Sequence, residues 1–347
     1  MNWKLSVRGL SWGGSRLLAG VAVCALLTGI GPLSGWSAEQ LVVYSGRGEK
    51  FTKPVVKAFS AATGVEVQTL VSNAGQLLAR IQVEGARTPA DVFMSNYAGT
   101  LDRARRLGLL QPYASPMLKH IPERYVGPQR TWFGASARAR AIVYNTDIFS
   151  KPPVRSMLEL AEPRWRGKLG ITVSTNGSFV GGLATMIGQH GEKRVRAFLE
   201  GIKANAGDNV FPKHTPIVSA VARGEIALGL VNHYYYYRAI AKNGRAPLGI
   251  IFPDQDGAGA PTTISGLAIL KHAKHLDAAR KFVDFVLSPR GQRLFAEVNY
   301  EIPVSRDVKA HRLLPPRDSI RLAPVGQGLK VESIDLAIEL IRTVGMQ

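Results

Sequence analysis

The chain has 347 residues, 46% of them hydrophobic, and a formal net charge of +19 at pH 7. This length exceeds what a single hydrophobic core commonly supports, so we expect two α/β domains with packed cores. The only cysteine, Cys24, lies in an N-terminal segment that we expect to be removed. Disulfides and cysteine metal sites are therefore excluded from the mature chain.

Residues 1–38 have the pattern of a secretory signal peptide. Three basic residues form its n-region, and an apolar h-region follows from Leu17 to Ile30. That apolar run is shorter than the ~20 residues a membrane span needs, which disfavours an uncleaved anchor. We therefore expect cleavage near residues 37–38 and location in the periplasm.

The basic charge persists after cleavage. Removing residues 1–38 takes away three basic residues and no acidic one, which leaves a formal charge of +16. Such a charge suits nucleic acid, an anionic membrane surface or a small anionic ligand. The lysines and arginines are scattered, no motif interleaves them with aromatic residues, and export separates the chain from nucleic acid. We expect a small anion as a partner and no nucleic acid.

The predicted elements alternate between strands and helices along most of the chain. Strands are predicted at 41–48 (ending in a glycine-containing loop), 65–71, 91–94, 138–145, 170–173, 226–231, 247–252 and 262–270, and helices at 54–64, 77–83, 101–107, 179–187, from 238 onwards and at 277–287. The βαβαβ order at the start requires crossover connections and a mostly parallel sheet.

Two strands, 138–145 and 262–270, are predicted to carry the chain between domains. We therefore expect a two-lobed α/β fold that hinges and closes on a ligand. The first lobe would comprise residues 39–138 and 264–314, and the second lobe residues 139–263 and 315–347.

Four consecutive tyrosines follow the buried strand 226–231. They stand at the carboxyl end of a strand, where open α/β sheets bind their ligands. Adjacent side chains on a strand point to opposite faces, so Tyr234 and Tyr235 can share one target only where the backbone turns. The strand-to-helix junction predicted before Arg238 supplies this turn, and Tyr236 and Tyr237 are assigned to packing or to the cleft wall.

Five short motifs occur in one order along the chain. They are YSGR at 44–47, TPADV at 88–92, RARAIVYNT at 138–146, PRWRG at 163–167 and VNHYY at 231–235. From about Leu41 to the C-terminus, this order resembles the periplasmic ferric-ion-binding proteins of bacterial iron(III) ABC transporters. The resemblance implies a class II, transferrin-like periplasmic-binding-protein fold. It also implies a protein, which we expect to be a monomer, that takes up iron(III) with carbonate or another synergistic anion and delivers it to an inner-membrane ABC permease.

The resemblance implies a metal site built from tyrosines. Tyr234 and Tyr235 match the family's tyrosine pair, and Tyr144 matches a third tyrosine that is a ligand in some branches. Gly48 and Asn96 stand where other members have histidine and glutamate, which favours the branch with three tyrosines plus an anion or water. Iron(III) prefers anionic oxygen, and the charge of a bound metal favours the phenolate.

The resemblance further implies an anion site near the metal. The matching residues are Thr175, Asn176, Gly177, Ser178, Arg138 and Arg140. Arg47 is an addition from the first loop, and His214 is either an anion contact or a polar residue at the rim. The first four open a helix, whose free N–H groups suit an anion, although the same residues also fit an ordinary capped helix start. Arg138 and Arg140 are two apart on a strand and should face one side.

Enzyme functions find little support in the sequence. Residues 176–181 lack the G-x-S-x-G elbow, and the sequence contains no nucleotide-binding glycine loop with its lysine and no H-x-x-x-H pair. We therefore expect a binding protein rather than an enzyme. A receptor for a free anionic solute, such as a phosphonate or phosphate ester, is the alternative, favoured by the +16 charge and the missing histidine and glutamate.

Overall fold

The structure, a computed structural model, describes residues 39–324, 326 and 331–346. The predicted signal peptide lies outside these ranges. Within them, no helix combines the length and the apolar character that a membrane crossing requires.

The described part of the chain alternates between strands and helices, as the sequence predicts. The strands are β1 (Gln40–Ser45), β2 (Glu66–Val71), β3 (Val92–Ser95), β4 (Phe133–Asn145), β5 (Leu169–Thr172), β6 (Val210–Phe211), β7 (Leu228–Asn232), β8 (Leu248–Ile251), β9 (Thr262–Ile269) and β10 (Ile302–Pro303). The α-helices are α1 (Glu49–Thr63), α2 (Ala74–Glu84), α3 (Ala98–Arg106), α4 (Gly177–His190), α5 (Glu192–Ala206), α6 (His214–Ala222), α7 (His233–Asn243), α8 (Leu276–Leu287), α9 (Pro289–Glu297) and α10 (Val331–Val344).

The sheet is mixed rather than mostly parallel. Strand β1 pairs in parallel with β2 and β3, as the βαβαβ order predicts. Strands β9 and β4 then run antiparallel to their neighbours, and the order continues β3-β9-β4-β7-β5-β6. The prediction of a mostly parallel sheet fails because β4 and β9 follow long loop connections, which allow either strand direction.

Strand β4 connects two separate hydrophobic cores. Its first part, up to Ala139, pairs with β9, and its second part, from Arg140, pairs with β7 and β8. Accordingly, Ala137 belongs to the core of the first lobe and Ile142 to a core of the second. The exchange of partners lies one residue from the predicted lobe boundary between residues 138 and 139, and the boundaries themselves stay predictions.

Helices α1 and α8 illustrate how the first lobe is stabilised. Each buries one apolar face, and Phe59 of α1 meets Phe282 of α8 edge to face with ring centroids 5.0 Å apart. This is the preferred geometry of aromatic pairs. Helix α1 ends at Gly64, whose φ of 74° is the left-handed conformation that glycine adopts without strain.

The C-terminal helix α10 touches both lobes. Its Ala337 and Leu340 are fully buried in the core of the second lobe, among residues of α4 and α5. Its Ile334 also reaches the first lobe, since a Cβ placed on Gly99 of α3 would lie 2.6 Å from the Ile334 side chain. Arg103 of α3 and Asp335 of α10 add an exposed ion pair at 3.8 Å. The helix is therefore a second link between the lobes, besides the crossing strands.

Candidate metal and anion site

A cavity of about 420 Å³ lies between the lobes, where β7 ends. The predicted site residues that line it are Tyr234, Tyr235, Arg138, Asn176, Ser178, Arg47 and His214. Gly48 and Asn96, the two positions at which the resemblance implies histidine and glutamate in other members, line the same cavity. The fold thus brings most of the predicted residues, from distant parts of the sequence, to one place.

The tyrosine pair lies in the first turn of α7. This helix begins at His233, so the prediction that it begins at Arg238 is wrong. Tyrosine is only a moderate helix former, and here its packing overrides that local preference. The Tyr234 and Tyr235 rings are 4.5 Å apart, centroid to centroid, and 34° from parallel. The helical turn thus allows two adjacent side chains to line one cavity.

The local environment keeps the Tyr235 phenol protonated at neutral pH. Burial raises the pKa of Tyr235, and the neighbouring Tyr234 raises it further. The Tyr235 phenol therefore ionises only when a positive charge replaces its proton, and a bound metal ion can supply that charge. Tyr234 is 3% exposed, and its Oη accepts a hydrogen bond from the Asn232 side-chain amide at 3.2 Å.

Arg138 is the most incompletely satisfied charged group in the cavity wall. It is 4% exposed, and its Nε and Nη2 atoms have no hydrogen-bond partner within the described residues. Leaving buried polar atoms unpaired is costly, and the cost is greatest for a charged group. The guanidinium therefore has free donors for an anion in the cavity.

Arg140 lies behind the cavity rather than in its wall. Its Nη1 donates to the Asn232 Oδ1 at 3.1 Å, and its aliphatic stem lies against Gly182 of α4. Burial lowers the pKa of Arg140 to about 9, although the nearby Tyr234 favours its charge. Arg140 thus supports Tyr234 through Asn232, and it is not among the residues that line the cavity.

The Asn176 side chain caps the start of α4. The Ser178 N–H and the Ser178 hydroxyl both donate to the Asn176 Oδ1, at 3.0 and 2.6 Å. The predicted free N–H group of Ser178 is therefore already satisfied, which agrees with the alternative of an ordinary capped helix. Thr175 and Gly177 line a neighbouring cavity of about 360 Å³, whose wall also contains Asn96.

His214 joins the site from the start of α6. It is 2% exposed, its ring centroid lies 4.8 Å from that of Tyr235, and its Nε2 is 3.1 Å from the Ser178 hydroxyl. Burial lowers the pKa of His214 well below its usual value, and Arg140 and Arg138 lower it further. The imidazole is therefore neutral and polar beside the tyrosine pair.

Arg47 lines the cavity but is paired with a carboxylate. Its Nη2 donates to both oxygens of Glu301 at 2.9 Å, and its Nη1 donates to the Ser265 hydroxyl. A bidentate, buried pair of this kind largely neutralises the guanidinium. The sequence gives no signal for Glu301, which lies 254 positions away along the chain.

The sequence also gave no indication of Lys50 and Phe51, from the first turn of α1. The Phe51 ring meets the Tyr234 ring edge to face at 5.5 Å, which closes the cavity from the first lobe. The Lys50 ammonium lies 5.3 Å from the centroid of the Tyr235 ring. Burial lowers the pKa of Lys50, and Arg238 and Lys213 lower it further, so this wall of the cavity is strongly positive.

Tyr144 is not brought to this cavity. In the antiparallel register of β4 and β7, Arg140 lies opposite Asn232 and Tyr144 opposite Leu228. Four residues of strand separate Tyr144 from Arg140, which amounts to about 13 Å. Its ring packs over Gly249 of β8 instead, where an added Cβ would lie 2.2 Å from it. The structure therefore separates Tyr144 from the tyrosine pair.

The donor set of the cavity restricts the metal it can hold. No group of three or more histidine, cysteine, aspartate and glutamate side chains with metal-binding geometry occurs in the described ranges. The phenol oxygens of Tyr234 and Tyr235 are the candidate metal donors of the cavity, and they become anionic and hard on ionisation. Such donors fit a hard, highly charged ion such as iron(III).

Known proteins are similar to this chain in sequence and in fold. A family model described as bacterial extracellular solute-binding protein matches residues 44–293. Iron uptake protein A1 of Synechocystis sp. is 33% identical over 285 residues, which cover 79% of this chain and 78% of that protein. The major ferric iron-binding protein of Neisseria meningitidis serogroup B is 30% identical over 315 residues, covering 88% of this chain and 93% of the relative.

The likeness extends to three dimensions. The crystal structure of iron-bound HitA from Pseudomonas aeruginosa matches with a TM-score of 0.81 and 29% identity, covering 88% of this chain and 99% of that chain. This match confirms the predicted two-lobed α/β periplasmic-binding-protein fold, and the named relatives confirm the resemblance to ferric-ion-binding proteins. Since the family model spans well over half of its length, the chain belongs to the bacterial extracellular solute-binding protein family.

Proposed function

We propose that this chain is a periplasmic receptor that binds iron(III) through the phenolates of Tyr234 and Tyr235. The observation that carries the proposal is the tyrosine pair in the wall of a positively charged cavity between the lobes. Relatives named for iron uptake and ferric iron binding support the choice of metal. Two phenolates cannot fill the coordination sphere of iron(III), so other oxygen donors must come from elsewhere.

A small anion supplies part of that coordination in this proposal. Arg138 offers unpaired donors, and Lys50 and Lys213 add positive charge to the same cavity. An anion bound there balances the basic wall and presents oxygen atoms to the metal. Carbonate is one candidate, since it can bridge a guanidinium and a metal ion with separate oxygens.

The loaded protein delivers its iron to an inner-membrane ABC permease in this proposal. Membership of the solute-binding family supports such a partner. The predicted signal peptide and a relative named as an Fe(3+)-binding periplasmic protein support the location. Because the family consists of solute-binding proteins, the proposed role is carriage rather than catalysis.

Visible absorption tests the proposal directly. Protein stripped with a chelator and then given iron(III) and carbonate should develop a phenolate-to-iron charge-transfer band. Changing Tyr235→Phe removes one ligand oxygen and should shift or abolish the band, and should weaken iron binding by more than about 100-fold, beyond the effect of outer-shell changes.

Tyr236→Phe provides a matched control. Tyr236 lies on the same helix, outside the cavity, and its hydroxyl only reaches the Leu248 carbonyl at 3.5 Å. Its variant should keep the band and the affinity of the wild type. An unchanged band in Tyr235→Phe, or no band in the wild type, contradicts the proposal.

The receptor for a free anion is the second candidate function. The unpaired nitrogens of Arg138 favour it, because they need an anion whether or not a metal is present. Calorimetry with phosphate or a phosphonate on chelator-treated protein separates the two candidates. Tight anion binding that iron does not change would favour the free-anion receptor.

A further inference from the structure

A basic groove, lined by residues of the first lobe and by residues 315–318, lies apart from the site between the lobes. Its volume is about 780 Å³, and none of its lining residues lines the tyrosine cavity. Its cations are Arg124, Arg306, Lys309, Arg312 and Arg317, against a single lining carboxylate, Asp318. We call this surface the basic groove.

The cations of the basic groove are not neutralised by neighbouring carboxylates. Throughout the described ranges, no carboxylate oxygen lies within ion-pair distance of any of the five. The nearby acids have other partners: Asp307 contacts His120, and Glu297 lies 3.6 Å from the His311 imidazole. Five unpaired charges around one concave surface repel one another and attract an anionic ligand.

Tyr125 holds two of these guanidinium groups in place. The Arg124 guanidinium lies 4.9 Å from the centroid of the Tyr125 ring, and Arg317 Nη2 donates to the Tyr125 hydroxyl at 3.4 Å. Arg317 Nη1 also donates to the Ser305 carbonyl at 3.2 Å. Each guanidinium carries five N–H donors, so Arg317 keeps donors for a ligand. This fixed placement distinguishes the groove from flexible surface charges.

The floor of the groove is apolar. Val308 and Leu314 are each 6% exposed, and Pro315 and Pro316 form part of the wall. Proline fixes its own backbone, so this part of the wall is rigid. A rim of cations over an apolar floor suits a ligand with a phosphate group on a less polar body, which describes a phospholipid headgroup with its glycerol.

The geometry points to the basic groove as a docking surface for anionic phospholipid. Arginine matches phosphate oxygens with paired N–H donors, and each Lys or Arg near an anionic leaflet strengthens binding. An exported protein meets such a surface on the membrane that houses a permease. The groove would then hold the protein near that membrane, whether or not iron is bound.

Vesicle sedimentation tests this inference. Full-length mature protein should bind vesicles containing phosphatidylglycerol at about 0.1 M salt, should not bind phosphatidylcholine alone, and should be released at 1 M salt. The variant Arg306→Gln/Arg312→Gln should bind about tenfold more weakly, from the loss of two charges near the surface. Both residues are exposed, so the fold and iron binding should be retained.

The matched control is Arg166→Gln/Arg194→Gln. These two arginines are exposed on the second lobe and lie outside the basic groove, and their loss changes the net charge equally. The control should bind vesicles like the wild type. An equal loss in both variants would overturn the proposal, because net charge alone would then explain the binding.

Two further measurements distinguish anionic phospholipid from a free phosphate ion and from DNA. Inorganic phosphate should bind the groove weakly in calorimetry and should displace vesicles only at high concentration. Displacement by micromolar phosphate would overturn the lipid assignment in favour of a free ion. Absence of binding to phosphatidylglycerol, or binding to duplex DNA that is as tight and equally sensitive to Arg306→Gln/Arg312→Gln, would overturn it as well.

Discussion

Arg138 is a residue that destabilises the fold of the protein without ligand and stabilises a bound anion. It is buried, charged and only partly hydrogen-bonded. An unpaired buried donor destabilises the fold, whereas the same donor stabilises a bound anion. Removal of the Arg138 guanidinium should therefore not lower the stability of the fold, but it should lower the affinity for the ligand.

The variant Arg138→Gln tests this opposition. Without iron or added anion, its free energy of unfolding should be unchanged or higher by about 1–2 kcal/mol, because unpaired buried donors are removed. Iron affinity in carbonate should fall by about tenfold or more, from the loss of a charge-assisted hydrogen bond. Urea denaturation and competition titration with a chelator measure the two quantities.

Arg166→Gln, in an exposed position away from the cavity, should change neither quantity. A large loss of stability in Arg138→Gln without iron would contradict the interpretation. That result would mean that Arg138 stabilises the fold without ligand, and that its donors are not free for an anion.

At the scale of elements, α10 links the lobes on the side of the molecule that contains the second cavity. Its Ile334 lines that cavity and approaches Gly99, whereas its ion pair with Arg103 is more than half exposed. Exposed ion pairs contribute little to stability, so the apolar contact should dominate. Helix α10 should therefore favour the closed arrangement mainly through Ile334.

Ile334→Ala should shift the ligand-free protein toward more open forms. Loss of about 1 kcal/mol of apolar contact corresponds to about a fivefold weaker affinity for iron. Small-angle scattering should show a larger radius of gyration without iron and the wild-type value with it. Asp335→Asn is the control, and an equal loss of affinity in that variant would show that the ion pair, not Ile334, links the lobes.

For the whole molecule, buried neutral histidines make stability depend on pH. Burial lowers the pKa of His233 to about 4, and the Ala139 N–H donates to its Nδ1 at 3.2 Å. In the unfolded chain this histidine binds a proton near pH 6.5, so between about pH 6.5 and 4 the unfolded state binds more protons than the folded state. Stability is therefore lost as the pH falls through that range.

His233 alone should lower the free energy of unfolding by about 2 kcal/mol between pH 7 and pH 5. Urea denaturation of chelator-treated protein at the two pH values measures this change. The variant His233→Gln should lose that part of the pH dependence, whereas His272→Gln, at an exposed position, should keep it. Equal pH dependence in wild type and His233→Gln would contradict the assignment.

The sequence contained enough information for the fold class and for most of the cavity wall. Alternating apolar patterns located the crossing strand β4 and the strand before the tyrosines, and the motif order located Tyr234, Tyr235 and Arg138. Periodicity could not predict which strands pair antiparallel, or in what register. The family resemblance placed Tyr144 with the pair, whereas its pairing with Leu228 shows that it lies far along β4.

Two other cavity residues and the start of α7 were not predicted, for a different physical reason. Glu301 and Lys50 occur in no motif, and their importance arises from contacts with residues far away in sequence. The helical start at His233 was missed because tyrosine is only a moderate helix former, so the tyrosines were predicted to form the turn before the helix. Tertiary packing determines the roles of Glu301 and Lys50 and the start of α7, and such packing cannot be predicted from a single sequence.

Strand β4 has one consequence for how ligand binding is sensed. It passes from one lobe to the other without interruption, and it exchanges partners between Ala139 and Arg140. Arg138 and Arg140 thus flank the point at which the strand changes partners. We propose that the lobes hinge at this point. An anion on Arg138 would then lie next to the axis of rotation, where a small change of backbone angle displaces the distant rims of both lobes by a much larger distance. In this proposal, occupancy of the cavity is converted into a change of outer shape that a membrane partner can recognise.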